Sequence, residues 1–307
     1  MPIKINASDA NPQTLDNHNY NGGIFTFADH QWVVCAGNND GNDRQGTYIN
    51  SKINEYTAEK KIDLFVFASS GYKHTQSSDY VYKPFAICNG EYYANHYQYG
   101  PTADITGVRA NSDWGVFNSI LNGGDETGMW RTLTMDEWTY LLNTREEASA
   151  KVGVGIVNGC YGMILLPDSW SLPEGLSFQA LSAVNSSIEI TTVDNTIVYN
   201  WSANNYDLSQ WAKMEEEGAV FLPAAGAKND SNNNVVGDNR GGQYAISYWT
   251  SSTGITEGSS EINYPSHAFA LDVEQMLESN QEVKHWRFDK SSRSWGRAVR
   301  LVRNVQQ

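Results

Sequence analysis

The sequence predicts an α+β protein with short helices, short strands and long loops. Three observations carry that prediction: a hairpin signature in "VGVGIVNGCYGMILLP", capped helical patterns in "TMDEWTYLLNTR" and "DLSQWAKMEEEG", and a C-terminal series of extended runs divided by Gly, Ser and Asn. In the hairpin, Asn158-Gly159 stands between β-rich arms. A two-residue turn with positive φ at both positions favours that pair, and Pro167 limits the second arm. In the first helix, Thr134 is followed three positions later by Glu137, a capping box, and Trp138, Leu141 and Leu142 recur at helical spacing. In the second, Asp207 and Gln210 form the cap, Trp211 and Met214 mark the inner face, and Gly218 suits the end.

The remaining elements follow the same logic. "DWGVFNSILNGG" reads as a further short helix, with Phe117, Ile120 and Leu121 buried and Asn122-Gly123 ending it. "GIFTFADHQWVVCAG" starts a strand-rich region with Ile24, Phe25, Phe27, Trp32 and Val33 as core residues. "KIDLFVFASSGY" reads as a strand with Leu64, Val66 and Ala68 on one face. Residues 73–111 read as loops with short strands. In "HAFALDV", alternation places His267, Phe269 and Leu271 on one side and Ala268 and Ala270 on the other, a small-residue face suited to close packing. Trp286 and Phe288 share a side of "KHWRFD", opposite His285 and Arg287, and Val299 and Leu301 are anchoring core. Residues 1–23 form a polar lead-in, and 24–307 read as one domain, without a fixed-period repeat or a clean linker.

Composition narrows the function. With 40% hydrophobic, 12% aromatic and 18% charged residues over 307 positions, the chain is of the folded globular class. A net charge of −14 opposes a nucleic-acid partner. The basic cluster Lys290, Arg293, Arg297, Arg300 and Arg303 does not offset it, because on a strand Arg293, Arg297 and Arg303 share a parity that Arg300 lacks. No apolar run reaches membrane length and the N-terminus has no apolar leader core, so no membrane insertion is expected. Cys35, Cys88 and Cys160 are too few and too scattered for a disulfide scaffold or a zinc motif, and read as small core hydrophobes.

Catalytic and metal motifs are absent from the sequence. The histidines His18, His30, His74, His96, His267 and His285 contain no i, i+4 metal pair. Asp40, Asn42 and Asp43 offer oxygen ligands, but their loop lacks the Gly placement and closing Glu of a calcium loop. Glu215, Glu216 and Glu217 read as the solvated end of a helix. There is no nucleophile elbow, phosphate loop or dinucleotide fingerprint. A non-catalytic protein without metal or cofactor is therefore expected. The 10 Trp and 17 Tyr serve either a core or a binding face. Sequons stand at Asn6, Asn185 and Asn200.

The segments "FTFADHQWVV", "IDLFVFASSGY", "DWGVFNSILNGG", "WRTLTMDEWTYLLNTR", "GMILLPDSW", "WAKMEEEGAVFLPAAG", "YWTSS" and "GRAVRLVR", in that order, resemble a group of proteins from gut Bacteroidetes and their phages. These are C-type-lectin-like proteins of the formylglycine-generating-enzyme-like fold group, including the variable proteins of diversity-generating retroelements of the major tropism determinant type. The resemblance runs from about residue 24 to 303. It implies a C-type lectin-like fold with twisted antiparallel strands, in which residues 248–303 display a ligand-binding face. On that basis Trp249 and Val299 are scaffold. The candidate ligand-binding residues are Tyr248, Tyr264, Ser266, His267, Phe269, His285, Arg287, Arg293, Ser294 and Trp295. No cysteine follows Cys160, so the oxidase chemistry of catalytic relatives is not implied.

The expected role is receptor binding or adhesion, toward a bacterial surface protein or glycan, from a phage virion tail, a cell surface or a secreted state. A homo-oligomer or a virion partner fits the same resemblance. The alternatives are a structural protein of a virion or surface fibre and, behind it, a glycan-active enzyme with two facing carboxylates.

Overall fold

The structure is a computed structural model and describes residues 3–4, 31, 65–67, 105, 113, 119–120, 129–181, 201–228, 235–236, 246–253, 267–273, 276–277, 283–284, 286–292 and 296–304. In chain order the elements are β1 (Ile3–Lys4), β2 (Phe65–Val66), β3 (Ser119–Ile120), β4 (Trp130–Thr132), helix α1 (Met135–Thr139) continued by a π-helical turn (Tyr140–Thr144), and a 3-10 turn (Ala148–Lys151). Next come β5 (Val152–Val157), β6 (Cys160–Leu165), a 3-10 turn (Trp201–Ala203), β7 (Asn205–Tyr206), helix α2 (Leu208–Glu216), β8 (Val220–Pro223), β9 (Ala227–Lys228) and β10 (Val235–Val236). The chain closes with β11 (Ile246–Trp249), β12 (His267–Val273), β13 (Met276–Leu277), β14 (Val283–Lys284), β15 (Arg287–Ser292), β16 (Gly296–Arg297) and β17 (Leu301–Arg303). This is a mixed α+β architecture with short helices and several antiparallel or mixed sheets. None of the described sheets closes into a barrel.

The hairpin forms as predicted. Strands β5 and β6 pair from Val152↔Leu165 to Val157↔Cys160, and the turn between them has φ 49° at Asn158 and 79° at Gly159. Strands β7 and β8 complete the order β7-β5-β6-β8. Alternation gives this sheet two apolar faces. Val152, Val154, Met163 and Leu165 enter the largest core, while Val157, Cys160 and Ile164 meet Trp211 and Met214 of α2. Glycine stands where other parts of the chain press closest: a Cβ on Gly155 would lie 2.5 Å from the Asn204 carbonyl oxygen, and one on Gly162 2.5 Å from that of Leu222.

Both predicted caps are present. The Thr134 side chain accepts from the Glu137 backbone N–H while the Glu137 carboxylate accepts from that of Thr134. Asp207 and Gln210 do the same for α2. Gly218, at φ 89°, then turns the chain away from α2, and Ala219 is already buried. Past Thr139 the backbone widens into the π-helical turn, and the N–H of Arg145 donates to the Tyr140 carbonyl at 3.1 Å. Arg145 donates through Nε to the Leu141 carbonyl of that turn at 2.7 Å and through Nη1 to Leu166 O, just past β6, at 2.8 Å.

One predicted helix is corrected. Ser119 and Ile120 are extended and pair with Lys4 and Ile3, so the middle of "DWGVFNSILNGG" is strand rather than helix. An apolar run that short has no decisive period, and its partner comes from the far N-terminal end of the chain. Phe117 and Leu121 lie outside the described residues. In "KIDLFVFASSGY", β2 is the strand, and Phe67 just beyond it is 1% exposed, packed edge-on against Trp249 at 5.4 Å. Leu64 and Ala68 lie outside the described residues, as do Cys35, Cys88, the loop with Asp40, Asn42 and Asp43, and the sequons. Cys160 is buried in the core against α2, as the sequence predicts.

The sheet β11-β12-β15 lies across the main core from the hairpin sheet. Its register sets Tyr248 opposite Leu271 and Leu271 opposite Phe288. On that face Ile246, Tyr248, Leu271 and Val273 are buried in the core they share with Trp138, Val154 and Met163. The other face carries Trp249, Ala268 and Ala270, which pack with Phe67 and Ile105. The alanines therefore do what the sequence predicts for them: they leave room for large neighbours. The layers run from α2 through the hairpin sheet, the main core and the three-stranded sheet to β16 and β2 beyond it.

Candidate functional site

The "YWTSS" run is a joint between elements. Tyr248 is 2% exposed, and its hydroxyl donates to the Pro223 carbonyl of β8 at 3.1 Å. After Trp249 the regular ladder to β12 stops: Thr250 N donates to Phe269 O, whereas Phe269 N donates to Ser252 O, two residues further on. Ser251 donates its N–H to Leu133 O and accepts from Ile105 N. The Ser252 hydroxyl accepts from the Met135 N–H in the first turn of α1 at 3.2 Å. The motif thus ties the end of β11 to β12, to the first turn of α1, and to Leu133 and Ile105.

Beneath the alanine face lies a buried polar cluster. Arg297 of β16 is fully buried, and its guanidinium donates through Nη1 to Ser247 Oγ of β11 and Asp272 Oδ1 of β12, and through Nη2 to Ser291 Oγ of β15. Asp289 of β15 approaches Nη2 to 3.8 Å, and the Trp249 ring lies 5.4 Å from the guanidinium carbon. Ser247 also donates to Asp272 at 2.6 Å. Burial pushes the Asp272 carboxyl up from its ordinary value, while the Arg297 charge and the Ser247 hydroxyl pull it back. Residues of β16 itself pair elsewhere, Gly296 with Val66 and Lys228 and Arg297 with Phe65. The Arg297 side chain and the backbone of Ala298, which donates to Ser247 O and accepts from Trp249 N, therefore join the two sheets.

That finding corrects the basic cluster read from the sequence. Arg297 is in the interior, so it offers no charge to a partner at the surface. Arg303 is exposed and lies over the Trp130 ring at 5.6 Å. The shared parity of Arg297 and Arg303 is lost, because they sit on β16 and β17, which belong to different sheets. Lys290 and Arg300 are half-buried, and Arg293 lies outside the described residues.

The candidate binding residues divide by the end of the sheet at which they are rooted. At one end, Ser252 bonds to Phe269 and His267 pairs with Ser292, so the chain leaves β11, enters β12 and leaves β15 side by side. Neighbouring strands are about 4.8 Å apart, which puts these roots within roughly 10 Å. Tyr264, Ser266, Arg293, Ser294 and Trp295 belong to segments that start or finish here, although they lie outside the described residues. His267 and Phe269 are on β12 itself, Phe269 half-buried. At the other end, Ile246 pairs with Val273 and Asp272 with Arg287. Arg287, half-buried, belongs there, about 20 Å along the strands from the first group, and His285 lies outside the described residues. Tyr248 belongs to neither end and is core.

Sequence reasoning did not single out Arg297 or Asp272. A signal for them exists: Asp272 has the parity of Ala268 and Ala270, and a carboxylate on a face built for close packing needs a buried partner. Among the described residues no group of three or more His, Cys, Asp or Glu side chains could hold a metal, and no helix is long and apolar enough to cross a membrane. Compared with known proteins, the chain matches no family model, no curated protein and no solved structure at a significant level.

Proposed function

We propose that the chain is a non-catalytic recognition protein of C-type-lectin-like build that binds a bacterial surface protein or glycan, on a phage tail or at a bacterial surface. The recognition face is the end of the β11-β12-β15 sheet where residues 254–266 and 293–295 are rooted. The supporting observation is that three strand ends, of β11, β12 and β15, lie side by side there on a frame packed on both faces. Such a frame lowers the ordering cost of segments rooted on it, and these segments carry Tyr264, Arg293 and Trp295, side-chain types that supply much of the energy in recognition interfaces. Arg287, at the far end, and His285, before it in the chain, do not take part.

The test is a screen of the full chain against arrays of bacterial surface glycans and surface proteins. The hits are then repeated with a double variant, Tyr264→Ala with Trp295→Ala, and with His285→Ala. The expected result is loss of binding in the double variant and retention in H285A. Equal loss in both would refute the single-ended surface. An oligomer in solution that covers residues 264–295, with no array binding, would replace recognition by an assembly role.

A further inference from the structure

We draw no further inference here: the strongest candidate, the half-buried guanidinium of Arg300 between β16 and β17, is set apart from an ordinary surface cation only by the lowering of its pKa through burial, and a lowered pKa without a cleft or converging polar groups around it does not make a binding site.

Discussion

The hairpin β5-β6 and the sheet β11-β12-β15 face each other across one core, yet they are built in opposite ways. The hairpin is continuous in sequence, two arms and an Asn-Gly turn, and the capped helix α2 covers its outer face. Its stability is apolar and local. The three-stranded sheet collects segments far apart in sequence, and the face it turns away from the hairpin meets a buried charge from a strand that belongs to another sheet. The first region teaches that a pattern of turn and alternation suffices when partners are neighbours. The second joins distant partners through a buried ion pair and through the backbone bonds of Ala298 to Ser247 and Trp249.

The contrast is most exposed to Arg297→Met. That variant leaves Asp272 as an uncompensated buried carboxylate, at an expected cost of about 3–5 kcal/mol in urea unfolding. Adding Asp272→Leu should recover at least half of that loss, because an apolar pair of similar volume replaces the ion pair. A double variant no more stable than the single one would mean that the guanidinium acts through its other contacts. The hairpin side is probed by Gly162→Ala. The added methyl would stand 2.5 Å from both the Leu222 carbonyl oxygen and the Phe221 ring, so strand spacing must change. An overpacking cost of about 1–3 kcal/mol is expected as a lower thermal midpoint; an unchanged midpoint would show that β6 and β8 can separate freely.

A smaller effect appears only in alkali. Tyr206, beside the hairpin on β7, donates its hydroxyl to Ser177 O at 2.6 Å, and burial pushes its phenol up to about 12. The folded state therefore favours the neutral phenol. Its contribution is complete below the ordinary tyrosine value of about 10 and is lost as pH rises toward the folded value. Urea midpoints at pH 9 and 11.5 should fall further for the native chain than for Tyr206→Phe; parallel declines would assign the alkaline transition to other groups.

The parts of the fold legible in the sequence share a physical property. The Asn158-Gly159 turn, both capping boxes and the Gly218 stop are set by groups within four residues of one another, so their chemistry is visible in a short window. Ser119–Ile120 was not legible, since a few apolar residues fit helix and strand equally until Ile3 and Lys4 pair with them. In the candidate site, alternation correctly paired Trp286 with Phe288, whose rings meet edge-on at 5.6 Å. Alternation could not tell Arg297 from Arg303, because parity has meaning only within one strand.

By itself the sequence determined the local vocabulary: which stretches extend, where the helices start, where the chain turns, and that Ala268 and Ala270 face something large. Only the tertiary structure decided that Tyr248 is core, that Arg297 is buried against Asp272, and that the candidate binding residues root at two ends of one sheet. The reason is the range of the forces. Turns and caps are made by atoms the covalent chain already holds close, whereas a buried charge acquires its meaning from whichever distant carboxylate the fold brings to it.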